Sequence, residues 1–246
     1  MRKDLFSENS QRYQQARPQY SNEILAAILA HVPARRLAWD CGAGSGQFTQ
    51  LLAPHFAQVL ATDLSAQQLQ YAPAIANVRY VQATAEHSFC DSSSVDLVSV
   101  AQAVHWFEFE AFYAEVKRVL KPDGVMAVIG YGLIQLQDAE LQQALQQLYF
   151  KTLHGYWDPE RHYIDEQYQT IPFPFQELAV PALALNYTWS SAQFLQYLGT
   201  WSGLQHYQRA QPHRDPLQGL RQLLLSQGNP MLALSFPVLL RIGRKD

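Results

Sequence analysis

Residues 37–47 read LAWDCGAGSGQ. A short apolar run ends in an acid, Asp40, and three glycines then alternate at Gly42, Gly44 and Gly46. Apolar residues at helical spacing follow at once, with Phe48, Leu51, Leu52 and Phe56 on one face. The pattern predicts a strand, a tight glycine turn and a helix. Glycine serves where the backbone needs φ > 0 or must approach a ligand closely. The turn opens onto a helix N-terminus, whose free N–H groups and dipole favour negative groups. The stretch reads as a nucleotide-type cofactor site.

The neighbouring residues extend the pattern. Upstream, Ser21 caps a helix over 21–31 whose buried stripe is Ile24, Leu25, Ile28 and Leu29. Downstream, strands are predicted over 58–63, 78–82, 95–101 and 125–131. Between them, Ser65 begins one helix with Gln68 as a capping-box partner, and Phe109, Phe112, Tyr113, Val116, Val119 and Leu120 mark another. The KPDG run at 121–124 is a turn signal. Alternating strands and helices imply a mostly parallel sheet with right-handed crossovers. Ligands then bind beyond the C-terminal strand ends. Those ends are Asp40, Asp63, residues 83–86, residues 101–106 and Tyr131.

Beyond Tyr131 the pattern is less regular. Residues 133–150 are Gln-rich and read as helix, and 151–181 are rich in aromatics and proline and read as loops and short turns. A strand over 183–189, helices over 190–198 and 217–226, and a last strand over 231–242 follow. Pro237 lies inside that last strand, which argues for an edge position or a bulge. We read residues 1–246 as one domain with a leader at 1–20 and an insertion at 133–181. The leader is either a mobile terminus or a lid over the cofactor mouth.

Composition excludes several classes. The chain has 246 residues, 48% hydrophobic and 16% charged, as in ordinary globular proteins, and its net charge of −3 gives no basic footprint for nucleic acid. It has no apolar run long enough for a transmembrane helix and no apolar signal-peptide core in its first residues, so no membrane partner is expected. Its two cysteines make neither a disulfide framework nor a metal-ligand spacing, which makes a reduced, cytoplasmic setting the default. Monomer and homodimer are both open.

The glycine motif narrows further. A dehydrogenase fingerprint would place its third glycine at 47, but Gln47 stands there and the glycine comes one earlier. No Gly-Lys-Ser/Thr follows, so a phosphate-cradling loop is out. An acid before the turn suits a cofactor with positive charge nearby, such as the sulfonium and ammonium of S-adenosylmethionine, or else it simply caps the turn. Asp63 at the next strand end suits both hydroxyls of a ribose.

These residues resemble the class I S-adenosylmethionine-dependent methyltransferases. The match lies in DCGAGSG at 40–46, Asp63, VDLV at 95–98 and RVLKPDG at 118–124. AQAVHWF at 101–107, Tyr13, Arg17, Pro18 and Tyr20 in the leader, YWDPER at 156–161 and the ending FPVLLRIGRK resemble the trans-aconitate-type small-molecule subgroup of the methyltransferase-11-like proteins. The resemblance implies a seven-stranded Rossmann-like α/β sheet with helices on both faces. Its last strand would be antiparallel and inserted between the fifth and sixth. Pro237 would then sit in an interior strand, where a bulge is expected. By the same resemblance, Asp40, Gly42, Ala43, Gly44 and Gly46 line the methionine part of the cofactor. Asp63 takes the ribose, Leu64 packs on the adenine, and Ala85 and Glu86 flank it. Ala101 and Gln102 lie under the sulfonium, and Tyr13 and Arg17 close over the cofactor carboxylate. Thr84 stands where the subgroup often has an acid.

Methyl transfer from a sulfonium is an in-line displacement with a neutral leaving group, so no metal is needed; the main task is to align nucleophile and methyl. A base is needed only where the nucleophile carries a proton. The candidate catalytic residues are Gln102, His105 and Trp106. His105 orients a substrate oxygen or acts as base, unless it only bonds the backbone at a helix start. Substrate binding is assigned to His105, Tyr131, Trp157 and Arg161, the last as a cation for an acidic substrate unless it pairs with Asp158 or Asp165. The aromatics of 149–175 form either a substrate cap or a cover for the sheet. The expected activity is methylation of a small molecule at a carboxylate or hydroxyl oxygen. Alternatives are C- or N-methylation of a quinone or amine metabolite, a non-catalytic cofactor-binding regulator, and, furthest out, a nicotinamide dehydrogenase.

Overall fold

A computed structural model describes residues 17–245. Four strands are parallel neighbours in the order β3 (Val78–Gln82), β2 (Gln58–Asp63), β1 (Leu37–Cys41) and β4 (Val95–Ala101), and β5 (Leu120–Tyr131) continues the parallel set. The register puts Cys41 beside Thr62 and Ala101 beside Ile129. The C-terminal ends of β1, β2, β4 and β5 therefore form one rim.

Both faces of the central strands β1, β2, β4 and β5 are buried, so these are apolar in most positions. Along β5, Val125, Ala127 and Ile129 point to one core, and Met126 and Val128 to the other. The first core receives α1 (Asn22–Leu29) and α2 (Gln47–Leu52); the second receives α4 (Phe109–Val119), the helix that follows α3 (Ala66–Gln70) along the chain. Ser21 and Ser65 cap α1 and α3 through the N–H groups of Ile24 and Gln68, as their spacing predicts. Among the described residues no helix is long and apolar enough to cross a membrane.

The second half is built around β9 (Met231–Arg244). It runs antiparallel to β5 and to three short strands: β6 (Gln135–Leu136), β7 (Gln176–Leu178) and β8 (Ala184–Ser190). The last strand is thus inserted beside β5, as the resemblance implies. The bulge expected at Pro237 is absent: the pairing with β5 and with β8 runs without a register break. Val238 N–H donates to Leu183 on the β8 side, and the Pro237 carbonyl accepts from Gly132 N–H on the other. The donor that proline lacks faces Gly132, one residue past the end of β5, so the missing bond falls at the end of the ladder and not within it.

The KPDG run is drawn into β5 as an irregularity instead of preceding it. Leu120 lies opposite Val95 and Val125 opposite Leu97, and Asp123 takes φ +61° in the loop between. Lys121 uses this excursion to reach Asp96 at 2.6 Å, whose other carboxylate oxygen accepts from Arg36 and Leu37 N–H. The helix predicted over 133–150 is shorter: α5 (Ala139–Gln147), capped by Asp138, ends in a wide turn at Leu148–Thr152. After the short α6 (His162–Asp165) come α7 (Ser191–Leu198), α8 (Ser202–Ala210) and α9 (Gln218–Ser226). Ser190 and Gln193 close a reciprocal capping box on α7. Sequence reading misses α8 altogether.

Candidate functional site

The glycine turn holds itself together. Gly42 and Ala43 N–H both donate to the Thr62 carbonyl, at 2.8 and 2.9 Å, and Gly46 N–H donates to Ala43. Gly42, Gly44 and Gly46 all have positive φ, +71°, +56° and +78°. A Cβ on Gly42 would stand 2.6 Å from the Ala103 Cβ, so the turn is pressed against the chain leaving β4. At Gly44 the nearest atom would be Gln68 Oε1 at 4.0 Å. The space beside Gly44 is therefore open.

Two acids brace this turn differently. Asp40 is fully buried, and its carboxylate accepts from Thr49 Oγ1 at 2.5 Å and Ser99 Oγ at 2.8 Å. Burial raises its pKa to about 6. Asp63 accepts from Gly44 N–H and Ser65 N–H, both at 2.8 Å, and so ties the turn to the start of α3.

At the end of β4, Gln102 takes φ +56°. Its N–H donates to Ile129 and its Oε1 accepts from Tyr131 N–H. This non-glycine residue in left-handed backbone turns the chain sharply over the β5 end, the kind of strain that gathers at functional sites. Arg17 arrives from the leader. Its guanidinium donates to the Tyr131 hydroxyl at 3.1 Å and the Thr200 carbonyl at 3.4 Å. Gln19 exchanges two bonds with the Tyr187 hydroxyl, and Tyr20 packs edge-on against Phe48 at 5.4 Å. The described end of the leader is thus seated, while Tyr13 lies outside the described residues.

These groups surround a cavity of ≈ 600 Å³, within the range of about 300–1,000 Å³ usual for small-molecule sites. Of the residues assigned from sequence, Arg17, Asp40, Gly42, Ala43, Gly44, Asp63, Leu64, Ala85, Ala101, Gln102, Trp106 and Tyr131 line it. Leu64 is 42% exposed, an apolar side chain left facing the cavity. Gly46, Glu86, His105, Trp157 and Arg161 are not in its wall. Gly46 instead caps α2, and Glu86 accepts from Glu108 N–H beside the wall.

The insertion contributes Asp158, Pro159 and Glu160 to the wall. Among the described residues, Asp158 Oδ2 is buried with no hydrogen-bond partner. Arg161, three residues on, turns away: its Nε donates to the Tyr149 hydroxyl at 2.8 Å and lies 3.8 Å from Asp165, not Asp158. Its guanidinium sits over Tyr149 and Trp157, at 5.4 and 5.3 Å. Trp157 packs on Tyr149 and Trp201. His105 lies behind Trp106, 5% exposed, with Nδ1 3.3 Å from the Tyr168 hydroxyl. Burial, helped by the charges of Arg161 and Arg17, lowers its pKa to about 3, so the ring is neutral near pH 7.

Sequence reading passed over Thr49 and Ser99, the partners of Asp40, and Tyr168, the partner of His105. Ser99 carries a usable signal, a hydroxyl inside the otherwise apolar end of VDLVSVA. Tyr168 carries none, because its placement depends on a positive φ of +61° that no glycine announces.

The residues fit S-adenosylmethionine. The cavity joins the open side of Gly44, the carboxylate of Asp63 and the exposed face of Leu64, which suit a ribose and an adenine. The comparisons agree. A methyltransferase-domain family model matches residues 39–128. A protein of Dictyostelium discoideum named as a methyltransferase is 33% identical over 99% of this chain and 95% of its own length. A Saccharomyces cerevisiae protein named as an S-adenosylmethionine-dependent methyltransferase is 30% identical over 58% of this chain, which spans about half of it (51%). A solved structure from Anaeromyxobacter dehalogenans, described as a type II methyltransferase, superposes with TM-score 0.85 and 37% identity, over 93% of this chain and 97% of that one. The chain therefore belongs to the class I methyltransferases that take their methyl group from S-adenosylmethionine.

Proposed function

We propose that the chain methylates a small-molecule acceptor at a carboxylate or hydroxyl oxygen, by in-line displacement that needs no metal. The observation that carries this reading is one continuous cavity that runs from the glycine turn and Asp63 to Trp106, Tyr131 and the insertion. When bound, S-adenosylmethionine supplies an electrophilic methyl and a neutral sulfide leaving group. In our reading Asp63 holds the ribose hydroxyls, and Leu64 and Ala85 pack on the adenine, with Glu86 bracing that edge from behind. Gly42, Ala43, Gly44 and Gly46 shape the turn, which Asp40 supports from below. Ala101 and Gln102 lie beneath the reacting carbon. Arg17, with Tyr13, faces the cofactor carboxylate.

Trp106 and Tyr131 wall the acceptor, and His105, which stands behind Trp106 and outside the wall, orients the reacting oxygen of an acceptor that reaches past Trp106. Trp157 and Arg161 shape the acceptor end from behind the wall, through Tyr149 and the insertion. A cytoplasmic setting is supported by the two free, buried cysteines, Cys41 and Cys90. The acids Glu108, Asp158 and Glu160 on the wall, against Arg17 as its one Lys or Arg among the described residues, favour a second reading in which the acceptor is an amine.

The test is a mass-spectrometric screen of a metabolite extract incubated with the protein and S-adenosylmethionine. The expected outcome is S-adenosylhomocysteine together with a species heavier by one methyl group, whose fragmentation tells O- from N-methylation. Tight S-adenosylhomocysteine binding without any methylated species would indicate a regulator. Calorimetric binding of NAD but not S-adenosylhomocysteine would overturn the cofactor assignment.

A further inference from the structure

Several unusual features converge on one hydroxyl, that of Tyr168. Its backbone takes φ +61°, uncommon for a bulky residue. Its ring fills the space of a missing side chain in the interior of β5, since a Cβ on Gly130 would lie 2.5 Å from the ring. Its peptide groups are pinned on both sides. Tyr168 N–H donates to Tyr163 at 2.7 Å, and Arg241 donates to the Tyr168 carbonyl at 2.9 Å. Arg241 is itself held by both carboxylate oxygens of Glu177. The ring is fully buried and lies nearly parallel to His105, at 27°. Among the described residues, the hydroxyl has one hydrogen-bond partner, His105 Nδ1.

We propose that Tyr168 is a positioning residue that holds His105 as the neutral imidazole protonated on Nε2. A phenol is a good donor and a neutral imidazole nitrogen a good acceptor, so the Tyr168 O–H donates to Nδ1. The tautomer is set by what the other ring nitrogen bonds. Nε2–H is then the ring's remaining hydrogen-bond donor. In this tautomer the ring has a hydrogen to give, and its nitrogen lone pair is already engaged by Tyr168, so it is not placed to take a proton. This rests on the reading of His105 above and deepens it: the site suits an acceptor oxygen that already presents a lone pair, such as a carboxylate.

The experiment is long-range 1H–15N NMR on protein labelled at histidine and saturated with S-adenosylhomocysteine, near pH 7. His105 among the eight histidines is assigned by the signal lost in His105→Gln. The expected spectrum has a pyridine-type Nδ1 and a protonated, pyrrole-type Nε2. Tyr168→Phe should shift this single tautomer to a mixture while S-adenosylhomocysteine affinity is unchanged. A protonated Nδ1 in the wild type, a doubly protonated ring, or an unaltered tautomer in Tyr168→Phe each overturns the proposal. If that variant does not fold, the wild-type spectrum alone decides. Loss of S-adenosylhomocysteine binding by the wild type would instead strike the methyltransferase reading.

Discussion

Asp40 sits beneath the glycine turn, fully buried. Burial raises its pKa from 3.8 to about 6; the hydroxyls of Thr49 and Ser99 lower it in part, and Asp63 adds a smaller rise. A raised carboxyl pKa means that the folded state binds the proton more tightly than the unfolded chain does. The stability due to this proton is present below pH about 4 and is lost as pH rises through about 6. At about 1.4 kcal/mol per pKa unit, the stability of Asp40→Asn relative to wild type should rise by about 1.4 kcal/mol between pH 5 and pH 8. Urea unfolding of both proteins at the two pH values measures it. A constant difference would return Asp40 to an ordinary carboxyl. The acid itself was legible as the residue closing LAWD, and so was Asp63. What no spacing announced is which hydroxyls each acid meets, because Thr49 and Ser99 reach Asp40 from a helix and from the neighbouring strand.

At the scale of elements, the turn between β1 and α2 is the part least able to accept a side chain. Gly42→Ala places a Cβ 2.6 Å from Ala103 and 3.2 Å from Phe107, on backbone with φ +71°. The expected cost is about 1–3 kcal/mol of stability, with weakened S-adenosylhomocysteine affinity because Ala103 and Phe107 are displaced into the cavity. Thermal unfolding and calorimetry check both. A variant with wild-type melting and affinity would mean that the turn yields freely. The bounds of β1 and β2 were legible because each is a short apolar run that ends at an acid. The second half was less so. The stretch 202–210 is poor in apolar residues, with only Gly203 and Leu204 of α8 buried. Pro237 suggested a defect that the local geometry makes unnecessary. Arg161 read as a cation for an acidic substrate or a partner of Asp158 or Asp165; the Asp165 pair is present, but its partners Tyr149 and Trp157 become neighbours only through the fold.

Across the whole molecule, cofactor binding should be visible as stability. A ligand at 100 times its Kd stabilises the folded state by about 2.7 kcal/mol. For a chain of this size that is a rise of about 5–10 °C in Tm. Differential scanning fluorimetry with saturating S-adenosylhomocysteine checks it, and an unmoved Tm would mean that the cavity does not hold the cofactor. The cavity is formed by the C-terminal rim of the sheet, the leader from Arg17 and the insertion at 158–160, so its occupant bridges distant parts of the chain.

The position of β9 bears on how the protein is made. It pairs with β5, β6, β7 and β8, yet it is the last of the strands to be translated. While residues 37–131 can order as synthesis proceeds, β5 presents an unpartnered edge until β9 is delivered. An open edge of that length invites pairing with another nascent chain. Slow delivery of the final residues, or a nonsense mutation before Met231, would therefore harm solubility before it harmed chemistry, and such chains would be lost to quality control with every cofactor residue intact.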